Sequence, residues 1–130
     1  MNERHMLIVD DHPINRRLPA VILRDAGWTT EEAENGEEAL AKLAGGSYSA
    51  VLLDISMPGM SGEEVCRRIR ADSRLKDLRV IAYTAHAMEE TRTDMMHAGF
   101  DWMLVKPISR QLLLDALAAP RRDHAKKEES

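Results

Sequence analysis

The sequence predicts an α/β domain in which helices cover both faces of a parallel sheet, a doubly wound arrangement. Three observations predict it. Short aliphatic runs without polar alternation recur along the chain, which suits strands covered on both faces. Segments with helical spacing separate those runs. The length of 130 residues fits one such domain and leaves no room for a second.

Each element follows in order. Met6-Leu7-Ile8-Val9 is the first strand and ends in Asp10-Asp11. Ile14, Leu18, Val21 and Ile22 recur at helical spacing and form the expected apolar stripe of the first helix. Pro13 fits its first turn and Gly27 its end. Pro19, inside that pattern, predicts a kink or a late start, because proline removes an N–H and crowds the preceding turn. Thr29–Ala33 reads as a weaker strand, since Trp28, Thr29 and Thr30 favour extended structure. Gly36–Ala44 holds good helix formers and is followed by Gly45-Gly46.

Val51-Leu52-Leu53 is the next strand and ends in Asp54. Ser61-Gly62-Glu63-Glu64 matches a capping box, with Val65 and Ile69 behind it as an apolar stripe. Val80-Ile81-Ala82-Tyr83 is a strand ending in Thr84, and Ala87–Ala98 is a helix ending at Gly99. Met103-Leu104-Val105 is the last strand and ends in Lys106-Pro107. Ser109 can cap a final helix carrying Leu112, Leu113, Ala116 and Leu117. Five β–α units imply right-handed crossovers. The domain is expected over residues 1–119, with 120–130 a polar, solvated tail. Met1 and that tail favour a free-standing protein.

Composition removes several classes. With 44% hydrophobic and 31% charged residues the chain is neither a disordered tract nor collagen. A single cysteine excludes an intramolecular disulfide framework and a cysteine-rich zinc site. The formal charge of −4 argues against a nucleic-acid surface. No apolar run approaches the ~20 residues of a membrane span, and the N-terminal run is too short for a secretory core. The expectation is a cytoplasmic protein with no nucleic-acid partner and no membrane insertion. Five aromatic residues leave aliphatics and methionines to fill the core.

The polar residues that end the strands carry the chemistry. In an open parallel sheet the C-terminal strand ends share one edge, where ligands bind. Asp10, Asp11, Asp54, Thr84 and Lys106 would gather there. Singly, each has a plain structural role: aspartates and threonine as caps, Asp54 as a loop start, Lys106 as a surface cation. As a set they point to function. Three close carboxylates repel one another and recruit a cation, and oxygen-only ligands suit Mg²⁺ or Ca²⁺. Lys106 precedes Pro107, which restricts its backbone and positions its charge. A carboxylate nucleophile, a divalent metal, a hydroxyl and a lysine are the parts phosphoryl transfer requires.

These segments resemble the response-regulator receiver domain of two-component signalling. The pieces are Leu7-Ile8-Val9-Asp10-Asp11-His12-Pro13, Leu52 to Gly62 with Asp54-Ile55-Ser56-Met57-Pro58-Gly59 at its centre, Tyr83-Thr84-Ala85 and Val105-Lys106-Pro107. The resemblance spans about residues 5–118 and is specific in order and spacing. It implies a chemotaxis-regulator-like, flavodoxin-like fold with strand order 2-1-3-4-5. It also implies that Asp54 is the phosphoacceptor. Asp11 and Asp54 would bind Mg²⁺ (or Mn²⁺) directly, Asp10 would assist and Ser56 would offer its backbone carbonyl. Thr84, the Ala85 N–H and Lys106 would hold phosphoryl oxygens. The donor would be a histidine kinase or histidine phosphotransfer protein, and a downstream protein would read the result. The module would be a signalling phosphoacceptor that catalyses its own phosphorylation and dephosphorylation, not an enzyme for other substrates. It would be a monomer or a weak, phosphorylation-dependent dimer. Asp10 to Arg16 also resembles receivers fused to hybrid sensor kinases.

One position departs from the family. An aromatic residue usually stands three before the lysine and turns inward as the threonine moves. Here Met103 stands there, so the expected switch pair is Thr84 and Met103, with transfer intact and the output change altered. His86 faces the site entrance in this family, where it would either tune rates through its charge near neutral pH or stand as a plain solvent-exposed loop histidine. His5, His12, His97 and His124 lack metal-ligand spacing and read as surface residues. Cys66 reads as helix packing, and Met88, Met95 and Met96 as core or an adaptable partner surface. The competing function is a degenerate receiver acting as a phosphorylation-independent interaction module. A haloacid-dehalogenase-like phosphatase would need a second aspartate where Ser56 stands. A nucleotide or flavin fold would need glycines where Asp10-Asp11 stand.

Overall fold

The computed structural model describes residues 4–85 and 89–119. Strands and helices alternate: β1 (His5–Val9), α1 (Pro13–Asp25), β2 (Thr29–Ala33), α2 (Gly36–Gly45), β3 (Ala50–Asp54), α3 (Gly62–Ala71), β4 (Arg79–Thr84), α4 (Glu89–Ala98), β5 (Trp102–Val105) and α5 (Arg110–Ala118). The five strands pair in parallel in the order β2-β1-β3-β4-β5. The predicted α/β class and element order are those the chain adopts. Residues 120–130, expected as a tail, lie outside the described residues. Among the described residues no helix is long and apolar enough to cross a membrane.

The central strands are buried because their side chains alternate between two apolar layers. Leu7, Val9, Val51, Leu53, Val80 and Ala82 face one layer, completed by Leu43 of α2, Val65 and Ile69 of α3, and Met95 of α4. Met6, Ile8, Leu52 and Ile81 face the other, completed by Leu23 of α1 and Leu113 and Ala116 of α5. The edge strand β2, Thr-Thr-Glu-Glu-Ala, is half exposed, as its polar composition demands.

α1 excludes one of the two outcomes expected at Pro19. The helix starts at Pro13 and runs through Pro19, so there is no late start. Of the four residues at helical spacing, three face outward: Ile14 is 71%, Val21 57% and Leu18 46% exposed. Pro19, Ala20, Ile22 and Leu23 are buried instead. Helical spacing tells which residues share a face, but not which face meets the sheet. The small Pro19 and Ala20 side chains line the face that does.

The helix ends are set locally. Gly27 takes φ +94°, its N–H reaching Arg24 O at 3.1 Å while the Trp28 N–H reaches Leu23 O at 2.8 Å. Gly99 ends α4 in the same way at φ +105°, with Phe100 bonded to Met95 O. Both are Schellman ends, which need a left-handed residue that glycine adopts without strain. At α3 the capping box is half made. Ser61 Oγ accepts the Glu64 N–H at 3.1 Å, but the Glu64 carboxylate turns to Arg68 Nε at 2.8 Å. At α2 the glutamate does reach back: Asn35 Oδ1 accepts the Glu38 N–H, and Glu38 Oε1 accepts the N–H of Glu34, one residue before the cap. Ser109 caps α5 through the Leu112 N–H at 3.1 Å, and Leu112 itself is 52% exposed.

Two side-chain clusters were not expected. Arg70 of α3 donates to the Gly99, Lys76 and Leu78 carbonyls and to Asp101 Oδ2 at 2.8 Å. Asp101 is 4% exposed, and the same carboxylate oxygen accepts the Val80 N–H. His5, expected at the surface, is instead half-buried. Its ring stacks on Tyr48 at 4.5 Å and contacts Thr29 Oγ1 and Glu31 Oε2.

Candidate functional site

The sheet places the candidate residues at one edge. Asp10 follows β1, Asp54 ends β3, Thr84 ends β4 and Lys106 follows β5. Parallel register aligns these ends: Asp54 pairs with Tyr83, Thr84 pairs with Val105, and the Lys106 N–H donates to Thr84 O at 2.7 Å. The strand order reverses between β1 and β3, where a crevice opens at the carboxyl edge of such sheets.

Three aspartates converge there. Asp10, Asp11 and Asp54 each offer a carboxylate oxygen, all within 4.8 Å of one another. Asp10 is fully buried, and its Oδ1 accepts the His12 N–H at 2.9 Å while its Oδ2 meets Lys106 Nζ at 3.1 Å. Asp54 is 2% exposed, and its Oδ1 accepts the Ser56 N–H at 3.1 Å. Its Oδ2 lies 3.6 Å from Lys106 Nζ. The Asp11 side chain is half-buried and lies 3.7 Å from His12 Nε2. Burial is the largest influence on Asp54 and pushes its pKa up, and the Asp10 and Asp11 charges push the same way. The Ser56 N–H and the Lys106 charge oppose them. A carboxylate held in this way gains most from an added cation.

The donor set fits a hard divalent ion. Carboxylate oxygens with open positions suit Mg²⁺, which keeps several of its waters. Asp10 already spends one oxygen on His12 and the other on Lys106, whereas Asp11 is more open. Ser56 is exposed beside Asp54, its N–H turned to that carboxylate.

The remaining predicted residues fall around this group. Thr84 is 1% exposed, and Ala85 beside it is exposed. Met103 packs partly buried against the layer holding Met95 and Phe100, while neighbouring Trp102 is 44% exposed. His86 lies outside the described residues. The Lys106–Pro107 peptide bond is cis.

Sequence reasoning missed two neighbours of the site. Arg16 donates from Nη1 to Asp10 O at 2.6 Å and from Nε to Glu32 Oε1 at 2.8 Å, tying α1 and β2 to the end of β1. Tyr83 presents its ring to Lys106, with Nζ 4.7 Å from the centroid. The available signal was an aromatic residue placed directly before Thr84 at a strand end.

A family model for the response regulator receiver domain matches residues 6–118. The chain belongs to that family. It is a receiver domain of two-component systems, a family of signalling phosphoacceptors. The transcriptional regulatory protein ResD of Bacillus subtilis is 42% identical over 122 residues, covering 93% of this chain and 50% of ResD. The chain therefore spans about half the length of that relative. The chemotaxis protein CheY of Pseudomonas aeruginosa is 40% identical over 113 residues, covering 86% of this chain and 91% of CheY. Among solved structures, the response regulator TrrA of Thermotoga maritima, in complex with Mg²⁺-BeF, is similar with a TM-score of 0.79. It is 38% identical, and the match covers 88% of this chain and 96% of TrrA.

Proposed function

We propose that this receiver accepts a phosphoryl group on Asp54 in an Mg²⁺-dependent reaction and so changes its protein contacts. The convergence of Asp10, Asp11 and Asp54 within 4.8 Å, beside Lys106, carries this reading. An Asp54 carboxylate oxygen attacks the phosphorus in line, and the bond from phosphorus to the donor histidine nitrogen breaks as the imidazole leaves. Water later attacks the acyl phosphate and frees the carboxylate. Asp11, Asp54 and the Ser56 carbonyl, with Asp10 in support, would hold Mg²⁺ (or Mn²⁺), which offsets phosphoryl charge when bound. Lys106, the Thr84 hydroxyl and the Ala85 N–H would take the remaining phosphoryl oxygens. The Mg²⁺-BeF complex of the related TrrA supports such a pocket.

The donor is a histidine kinase or a histidine phosphotransfer protein, and a downstream protein reads the modified form. The setting is the cytoplasm, with no nucleic-acid partner, as a monomer or a weak phosphorylation-dependent dimer. Met103, in place of the usual aromatic, fits intact transfer with an altered output change.

Acetyl phosphate with Mg²⁺, followed by intact mass measurement, tests the reading. A single phosphoryl adduct is expected, lost in Asp54→Asn and in EDTA. If folded wild-type protein takes no adduct from acetyl phosphate or a phosphohistidine donor, the alternative stands: an interaction module that works unphosphorylated.

A further inference from the structure

Lys106 must carry its charge into the acidic pocket on a flexible four-carbon stem. Its backbone is pinned by the bond to Thr84 O at 2.7 Å, but that bond does not fix the side chain. Two attractions act on the ammonium from the pocket, Asp10 Oδ2 at 3.1 Å and Asp54 Oδ2 at 3.6 Å. Both weaken once a cation occupies the carboxylates. Beside the stem a groove of about 360 Å³ opens between Ile14 and Leu18 of α1 and Pro107 and Ile108 after β5, giving the side chain somewhere else to lie.

The third contact does not depend on the carboxylates. Tyr83 is 4% exposed and belongs to the layer holding Met6, Ile8, Leu104 and Ile108. Its ring is therefore fixed by packing. The ammonium lies 4.7 Å from the ring centroid, within the range where the negative face of an aromatic ring attracts a cation. That attraction persists when the aspartates are neutralised.

We infer that Tyr83 is a positioning residue for Lys106: its buried ring holds the ammonium at the site while cation and phosphoryl group occupy the carboxylates. The inference rests on the phosphoacceptor reading for its effect on rate, but not for the placement of Lys106. The ring face, not the phenol hydroxyl, is the working part, so phenylalanine must serve as well.

Two readouts test it. With saturating Mg²⁺, the Lys106 ε-CH₂ protons should resonate upfield in wild type and Tyr83→Phe, through the ring current, and return to ordinary positions in Tyr83→Leu. The rate of adduct formation from acetyl phosphate should fall about three- to tenfold in Tyr83→Leu, the range expected for loss of one cation–π contact, and stay within about twofold of wild type in Tyr83→Phe. If Tyr83→Leu does not fold, Tyr83→Met fills the core without a ring and carries the same expectation. Absence of an upfield shift in wild type with Mg²⁺ overturns the placement. A ring-less variant reacting at the wild-type rate, or Tyr83→Phe as slow as it, overturns the effect on rate. A wild type that takes no phosphoryl group from any donor removes the phosphoacceptor reading and the rate effect together. The ε-CH₂ shift still decides the placement.

Discussion

At the scale of single residues, one polar pair that is costly to disturb lies away from the strand-end site. Asp101 is nearly sealed from solvent, and Arg70 is its ionic partner at 2.8 Å. Removing Arg70 leaves a buried carboxylate without its cation and frees three backbone carbonyls as well. Breaking such a pair on one side costs about 3 kcal/mol or more. Arg70→Ala should therefore lower the urea midpoint far more than Arg68→Ala, whose partner Glu64 is only half-buried, and equal losses would refute this. Tyr48 offers a test at the opposite end of the pH scale. Burial, then its bond to Glu31 and the Glu31 charge, push its pKa to about 12 from 10.0. The folded value lies above the unfolded one, so the stability it contributes is complete below pH 10.0 and is lost as pH rises through about 12. The chain has 2 tyrosines, so Tyr83→Phe leaves Tyr48 as the sole chromophore of this kind. Its near-ultraviolet titration should show no tyrosinate step near pH 10 while the fold persists. Neither residue's role was legible in the sequence. Arg70 and Asp101 lie 31 positions apart, and nothing local marks them as a pair.

At the scale of elements, the strands were legible and the helix orientations were not. A strand flanked on both faces writes its burial into every residue, as Met6 to Val9 do. A helix writes only a periodicity, and α1 carries apolar residues on two sides, so the spacing of Ile14, Leu18 and Val21 did not tell that they face solvent. Asp10, Asp54, Thr84 and Lys106 stood out in the sequence because each is the first polar residue at the end of an apolar run. Arg16 and Tyr83 were not, because one acts through a backbone carbonyl and the other through a ring face. The entry to α3 shows how closely an element is fitted to the site. A Cβ on Gly62 would lie 2.6 Å from the Asp54 carbonyl oxygen and 2.7 Å from the Ile55 Cα. Alanine normally gains about 0.5–1 kcal/mol over glycine in a helix. Here the obstacle is backbone, which cannot swing aside, and overpacking costs about 1–3 kcal/mol. Gly62→Ala should thus be net destabilising and should weaken Mg²⁺ binding by displacing the end of β3. Wild-type stability and affinity would show that α3 shifts freely.

At the scale of the whole molecule, an ion held by the gathered carboxylates would make folding and metal binding interdependent. Without a cation, the charge of Asp54 is held against its burial and against Asp10 and Asp11. In EDTA, Asp54→Asn should melt above wild type. Mg²⁺ at about 100 times its dissociation constant should add about 2.7 kcal/mol to the wild type, and much less to the variant. A wild-type midpoint that ignores Mg²⁺ would contradict the assignment of these residues to the ion. The sheet has a consequence of its own. Because β1, β3 and β4 separate the Leu43–Val65–Ile69 side from the Leu23–Leu113–Ala116 side, it acts as a bulkhead between two compartments. Volume lost on one side opens no void on the other, so changes drawn from opposite sides share few partners and add independently. A lineage can rework one compartment at a time while the strand ends it depends on stay aligned.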